Sequence, residues 1–188
     1  MILAYHIILS AYGFWLPNDP RGSWSDFVAS WELLRYGKAT KVDTARSVAG
    51  ARHDHRLRKE AKSALKYPAV SFSGRQARAI ARGFDRARQE GGYEVLACAI
   101  LPEHTHMVIA RHPRNIGCMV GHFKGRATQR LAEERLWPAD ARPVWAEGNW
   151  KVFLDSEADV ARAIHYVEGN PEKEGKPRQR WWFVVPRQ

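Results

Sequence analysis

Two histidines stand two residues apart, His104 and His106, inside the apolar, β-branched run HTHMVIA. Side chains alternate along a strand, so both imidazoles emerge on one face at a spacing that can bracket a metal ion. An ion held there would act as a Lewis acid toward a phosphoryl oxygen. A second pair, His53 and His55, lies in the charged stretch ARHDHRLRKEAK, where no strand character fixes its geometry. It is set aside. The other residue suited to chemistry is Tyr166, near the end of SEADVARAIHYVEGNP. A phenol ionises near pH 10 and becomes a useful nucleophile only where a base or a nearby cation favours its oxyanion.

The elements that must position these groups can be read in order. AYHIILS, residues 4 to 10, reads as a first strand ending near Gly13. From Phe14 to about Pro68 the chain is rich in Pro, Gly and charge, which predicts an insertion with at most short helices. GRQARAIARGFDRARQE, from Gly74 to Glu90, places Ala77, Ile80, Ala81, Phe84 and Ala87 on one helical face and Arg78, Arg82 and Arg86 on another line. Such a stripe is either a solvated face or a row of phosphate contacts. YEVLACAIL and HTHMVIA then read as two strands joined by a turn.

Residues 115 to 135 predict a helix with Ile116, Val120, Phe123, Ala127 and Leu131 on its apolar face. Lys124, Arg126 and Arg130 on that helix are candidate phosphate contacts, with a solvated face as the alternative. Gly117, Gly121 and Gly125 fall on one line, which suits close packing against the sheet or close approach of a bound partner. A last strand is expected between Val144 and Leu154, interrupted by Gly148. On the final helix Ser156 is a plausible N-cap, and Pro171 should end the helix near Gly169.

At 100 degrees per residue, Val160, Ile164 and Val167 make that helix's buried stripe, and Tyr166 lies about 120 degrees from the stripe's centre. Asp159 and Asn170 lie within about 40 degrees of Tyr166. His165 points about 100 degrees away from Tyr166, which makes it a poor general base. The order β, α, β, β, α, β and a terminal helix predicts an α+β fold: a ferredoxin-like split βαβ. It would be an antiparallel sheet with helices on one face and a C-terminal helix carrying the tyrosine. A single domain spanning residues 1–188, with an insertion at about 14–70, is expected.

LPEHTHMVI, FKGRATQRL and WAEGNWKVFLDSEADVARAIHYVEGNP together resemble the motif series of single-tyrosine HUH transposases, closest to the REP-associated tyrosine transposases. YGFWLPNDPRGSW near the start is similar to a segment of many relatives. The resemblance implies a metal-dependent single-strand DNA endonuclease and strand transferase acting on single-stranded or hairpin DNA. Tyr166 would be the nucleophile of a 5′-phosphotyrosine intermediate. His104 and His106 would be ligands of magnesium or manganese, with Asn170 in the place of a third ligand. Relatives include dimers that exchange the tyrosine helix and monomers that do not, so a homodimer is one expectation. Thr105 departs from the bulky hydrophobe usual between the two histidines. Facing away from the metal, it should alter packing more than chemistry.

Composition agrees with a nucleic-acid partner. The formal net charge is +10, from 30 Lys and Arg against 20 Asp and Glu, which raises the local concentration of polyanions. No apolar run approaches the roughly 18 to 20 residues of a membrane span, and the first residues lack the basic region of a signal peptide, so a cytoplasmic protein is expected. Cys98 and Cys118 carry no CxxC spacing and read as core or near-core residues. Two further readings remain at this level. One is a binding module for single-stranded nucleic acid without chemistry. The other is a nuclease that activates water on the same histidines, with Tyr166 only positioning the substrate.

Overall fold

The computed structural model describes residues 1–42, 48, 50–138 and 142–185. The chain divides into two compact units, Ala11–Val70 and the remainder. In the larger unit, β1 (Ala4–Ser10), β2 (Val95–Ile100), β3 (His104–Ala110) and β4 (Trp150–Leu154) form one sheet in the order β2-β3-β1-β4. All neighbouring pairs are antiparallel. With the connecting helices this is the ferredoxin-like split βαβ order expected from the sequence, an α+β fold.

Period-two alternation divides the strands between two layers. Ala4, Ala99, Val108 and Leu154 pack with Val160, Ala163 and Val167 of the helix Glu157–Lys173 on one face. Ile7, Leu9, Met107 and Ile109 are buried on the other. That second face belongs to the helices Gly74–Gly91 and Ile116–Glu133, whose Phe84 and Phe123 meet edge to face at 5.6 Å. Numbered with the two short helices of the smaller unit, α1 (Trp31–Leu34) and α2 (His55–Ser63), these three are α3 (Gly74–Gly91), α4 (Ile116–Glu133) and α5 (Glu157–Lys173). Helix α3 begins at a capping box, Ser73 with Gln76, and ends at Gly92 in the left-handed region, φ +68°.

The free edge of β2 is covered by the residues after α5. The Ile100 N–H donates to Gln179 Oε1 at 2.8 Å, and Gln179 Nε2 donates to the Ile100 carbonyl at 2.8 Å. The Val185 N–H reaches the Val95 carbonyl at 2.9 Å. Bonding groups at both ends of this edge strand are thereby occupied.

Four expectations need correction. Strand β4 starts only at Trp150, because Gly148 turns the chain with φ +70°. Helix α5 does not stop at Gly169 but runs to Lys173 with Pro171 inside it. Val167, Asn170 and Pro171 are all buried, and this packing outweighs the preference of a residue before proline for extended backbone. The glycine line of α4 is not pressed on the sheet, since a Cβ at Gly121 or Gly125 would meet nothing within 4 Å. Cys118, next to that line, is exposed, whereas Cys98 is buried. The close helix contact falls elsewhere, at Gly83 of α3, where a Cβ would lie 2.5 Å from the Ala127 Cα.

The smaller unit is organised by the PNDPRG turn. Asn18 is buried and its amide donates to the carbonyls of Leu33 at 2.8 Å and Gly37 at 3.2 Å. Asp19 is wholly buried and accepts both prongs of Arg21 at 2.8 and 2.9 Å. Arg58 of α2 reaches the same carboxylate at 3.3 Å. Burial opposes ionisation of Asp19, but the hydrogen bonds and charge of Arg21 and the charge of Arg58 prevail and lower its pKa. A small core of Leu16, Val28, Leu33 and Ala61 completes the unit. Among the described residues no helix is long and apolar enough to cross a membrane.

The α3–α4 contact yields a direct stability test. Gly83→Ala sets its methyl against the backbone of Arg126 and Ala127, and we expect a loss of about 1–3 kcal/mol in urea unfolding. Gly121→Ala and Gly125→Ala, in open space, should be neutral or stabilising by up to about 1 kcal/mol. Equal unfolding midpoints for all three variants would contradict the close crossing at Gly83.

Candidate active site

The β1–β3 register pairs Ile8 with His106 and Ser10 with His104, so His6, two residues before Ile8, joins the two predicted histidines on the face that α5 covers. The His6 and His106 rings are stacked, with centroids 5.3 Å apart, and His6 Nε2 lies 3.1 Å from His106 Nδ1. His104 and His106 meet edge to face at 4.9 Å. Tyr166 comes down from α5 onto both strands, its ring centroid 5.5 Å from His106 and 5.8 Å from His6.

His6 was absent from the sequence-derived set. Its signal was nonetheless present: a single imidazole within an otherwise apolar strand, in phase with Ala4 and Ile8. The strand run was read for its hydrophobicity, and partner register, which brings His6 beside His106, is not written in β1 alone.

Burial controls the protonation of this cluster. It pushes His6 and His104 down to about 4, and His106 well below the usual histidine value, with the neighbouring His104, His6 and Lys173 adding to the effect. At neutral pH the three rings are therefore uncharged. One proton lies on the His6–His106 contact. If His106 supplies it from Nδ1, its Nε2 keeps a free lone pair, the arrangement in which an imidazole binds a metal and is oriented by an acceptor behind it.

The donors fit a divalent ion in this respect: His104 and His106 are neutral, adjacent and on one face. Glu174 Oε1 lies 3.6 Å from His104 Nε2. Burial first, and then the Glu103 charge, raise the Glu174 pKa against the opposing effect of Lys176. Among the described residues no three His, Cys, Asp or Glu side chains are grouped to hold one ion. Asn170, buried one turn beyond Tyr166 on α5, carries an amide, a donor outside these four residue types.

Tyr166 is 40% exposed, so the side chain is open to a large substrate. Lys173 Nζ stands 4.5 Å from the Tyr166 ring centroid, a cation beside the candidate nucleophile. Asp159 is engaged at the start of α5 with Ser156 and Arg162. His165 lies on the exposed side of the helix.

A second tyrosine has hydrogen-bonding partners suited to activation. Glu90 accepts from His122 Nε2 at 2.9 Å, His122 Nδ1 lies 3.1 Å from the Tyr93 hydroxyl, and Arg114 donates to that oxygen at 2.7 Å. But Tyr93 is only 2% exposed, and a phosphodiester cannot reach a phenol closed in this way. The network instead ties the end of α3 to α4 and to the segment after β3.

The predicted basic contacts lie on α3 and α4, away from the histidine face. Arg82 is paired with Glu134, which raises its pKa further, and Arg126 with Glu90 at 2.6 Å. Arg130 pairs with Glu133 at 3.1 Å and Glu134 at 3.2 Å. Lys124 donates to the carbonyls of Ala146 at 2.8 Å and Gly148 at 2.5 Å, and its burial lowers its pKa to about 8. Arg78 is exposed. Of these five, four are engaged within the larger unit. His53 and His55 lie with ring centroids 4.0 Å apart in the smaller one.

No family model and no curated protein matches the chain. Among solved structures, a REP-associated tyrosine transposase bound to a REP hairpin is similar over 92% of this chain and 68% of its own, with a TM-score of 0.52 and 11% identity. A candidate transposase from Deinococcus radiodurans R1 aligns over 90% of this chain and 91% of its own, with a TM-score of 0.41 and 14% identity. The first likeness is one of fold. At such identity the chemistry must be argued from the side chains.

The buried neutral histidines make a prediction for the metal-free protein. Their folded pKa values lie below the unfolded value near 6.5, so the unfolded chain takes up protons first. Stability should be complete above about pH 6.5 and fall as pH drops toward 4, by on the order of 3 kcal/mol for each of His6 and His104. Urea unfolding in chelator from pH 7.5 to 4.5 measures this, and His6→Gln should flatten the slope. A midpoint unchanged across that range would mean the rings are not buried uncharged.

Proposed function

We propose that the chain is a single-tyrosine HUH transposase, closest to the REP-associated tyrosine transposases, which cuts and rejoins single-stranded DNA through Tyr166. One observation carries this reading: an exposed phenol, Tyr166, meets the buried, neutral imidazoles His106 and His6, with His104 beside His106 on the same face, across a packed helix–sheet interface. The fold shared with a tyrosine transposase bound to a hairpin supports it, and suggests hairpin DNA as the substrate class.

His104 and His106 would hold a divalent ion, magnesium or manganese, with Asn170 as the third donor. When bound, it would supply Lewis-acid charge to the scissile phosphate. His6 orients His106 by accepting its Nδ1 proton, a role its own burial and neutrality allow. Lys173 favours the oxyanion of Tyr166 and holds the ring in place. The Tyr166 oxygen attacks phosphorus and gives up its proton to solvent. A tyrosine O–P bond forms, the P–O3′ bond breaks, and the departing oxygen takes a proton to become a 3′-hydroxyl. The phosphotyrosine retains a transferable phosphoryl group, so a later strand hydroxyl can reverse the step without a nucleotide cofactor.

The test is a cleavage assay on hairpin DNA carrying a single-stranded flank, with denaturing gels to find protein–DNA adducts. Wild-type protein with magnesium or manganese should give a covalent adduct and a free 3′-hydroxyl. Tyr166→Phe keeps the ring and should bind DNA while giving neither product. His104→Ala, His106→Ala or excess chelator should also abolish both. If water were the nucleophile, Tyr166→Phe would still cleave, slower by about tenfold or less, because only one hydrogen bond is lost. Binding by wild-type protein without any cleavage would leave a binding module.

A further inference from the structure

The smaller unit, Ala11–Val70, takes no part in the histidine–tyrosine site, yet it is strongly basic: eleven Lys and Arg stand against six Asp and Glu. It therefore carries half of the chain's net charge of +10 in under a third of its 188 residues. Its cations are not spread evenly. His55, Arg58, Lys59 and Lys62 of α2 fall within about 100 degrees of one another around the helix axis and line a groove of about 570 Å³. Among the described residues Ser63, Leu65, Pro68 and Ala69 also line it, and none of these lining residues is acidic.

Several features preset the groove for an anion. Arg58 is held by the buried Asp19, a carboxylate shared with Arg21, so two guanidinium charges are offset by only one carboxylate. Lys62 Nζ, in the groove lining, lies 5.8 Å from the Phe14 ring centroid, a cation beside a flat aromatic surface. The acidic residue of α2, Glu60, pairs with Arg56 at 3.5 Å, outside the groove lining.

We infer that this groove is a second nucleic-acid contact of the protein, one that grips the phosphate backbone of the DNA independently of the strand being cut. The inference rests on the reading of DNA as substrate and assigns a role to residues that the chemistry does not use. Lys59 and Lys62 are its point-charge contacts and Arg58 its pre-oriented one. Contacts of this kind position a nucleic acid and carry no sequence preference.

The experiment is a salt titration of hairpin DNA binding by the full chain. Lys59→Gln/Lys62→Gln should lower affinity several-fold and make log K against log salt shallower by roughly one to two, as loss of two phosphate contacts requires. Arg52→Gln/Arg56→Gln removes the same charge from outside the groove and should change the slope less, while Lys59→Arg/Lys62→Arg should keep it. Circular dichroism confirms that each variant is folded. If wild-type protein binds DNA and the groove variant binds with the same affinity and slope, the groove assignment is overturned and the substrate reading stands. If wild-type protein shows no salt-dependent DNA binding, the substrate reading itself fails and takes the groove with it. Loss of binding to anionic phospholipid vesicles, with hairpin binding unchanged, would assign the groove to a membrane surface and likewise overturn the proposal.

Discussion

The site depends on the register of one strand pair. Because β1 and β3 run antiparallel with Ile8 opposite His106, three imidazoles reach the same face, and a slip of one residue would send His6 to the other layer. That register is secured by apolar side chains on both faces, Ile7, Leu9, Met107 and Ile109 on one and Ala4 and Val108 on the other. The core and the chemistry are thus set by the same pairing. Burial, required for the strands to pack, also strips the histidines of their protons and leaves them as neutral donors.

Helix α5 supplies the other half, and does so against a local preference. Pro171 removes one helical hydrogen bond, yet Asn170 stays helical because it is buried together with Val167 and Pro171. The gain is positional. Tyr166, Asn170 and Lys173 stand on successive turns of one rigid element, so the phenol, an amide and a cation share a frame that a frayed helix end could not keep.

Period and punctuation made much of this legible in the sequence. Strand alternation placed His104 and His106 together, helical angles put Tyr166 at the margin of the buried stripe, and the order of elements specified the sheet. What was not legible involved residues far apart in the chain. His6 gains its meaning only from its partner across the ladder. The arginines of α3 and α4 read as an open cationic face, but Glu133 and Glu134, some fifty residues on, neutralise Arg82 and Arg86. Glycines at a regular spacing looked like a packing seam, whereas the seam is the isolated Gly83. In each case the deciding partner lay beyond the reach of local periodicity.

The covering of β2 is also a chemical vulnerability. Gln179 imitates a peptide unit, its amide oxygen and nitrogen standing in for the carbonyl and N–H of a fifth strand. Only an amide has both groups. Deamidation to glutamate, a slow spontaneous reaction of side-chain amides, would replace the donor with a charged acceptor facing the Ile100 carbonyl. The ageing of one side chain would then loosen the cover at the Ile100 end of β2 and open part of a strand edge to pairing with other chains.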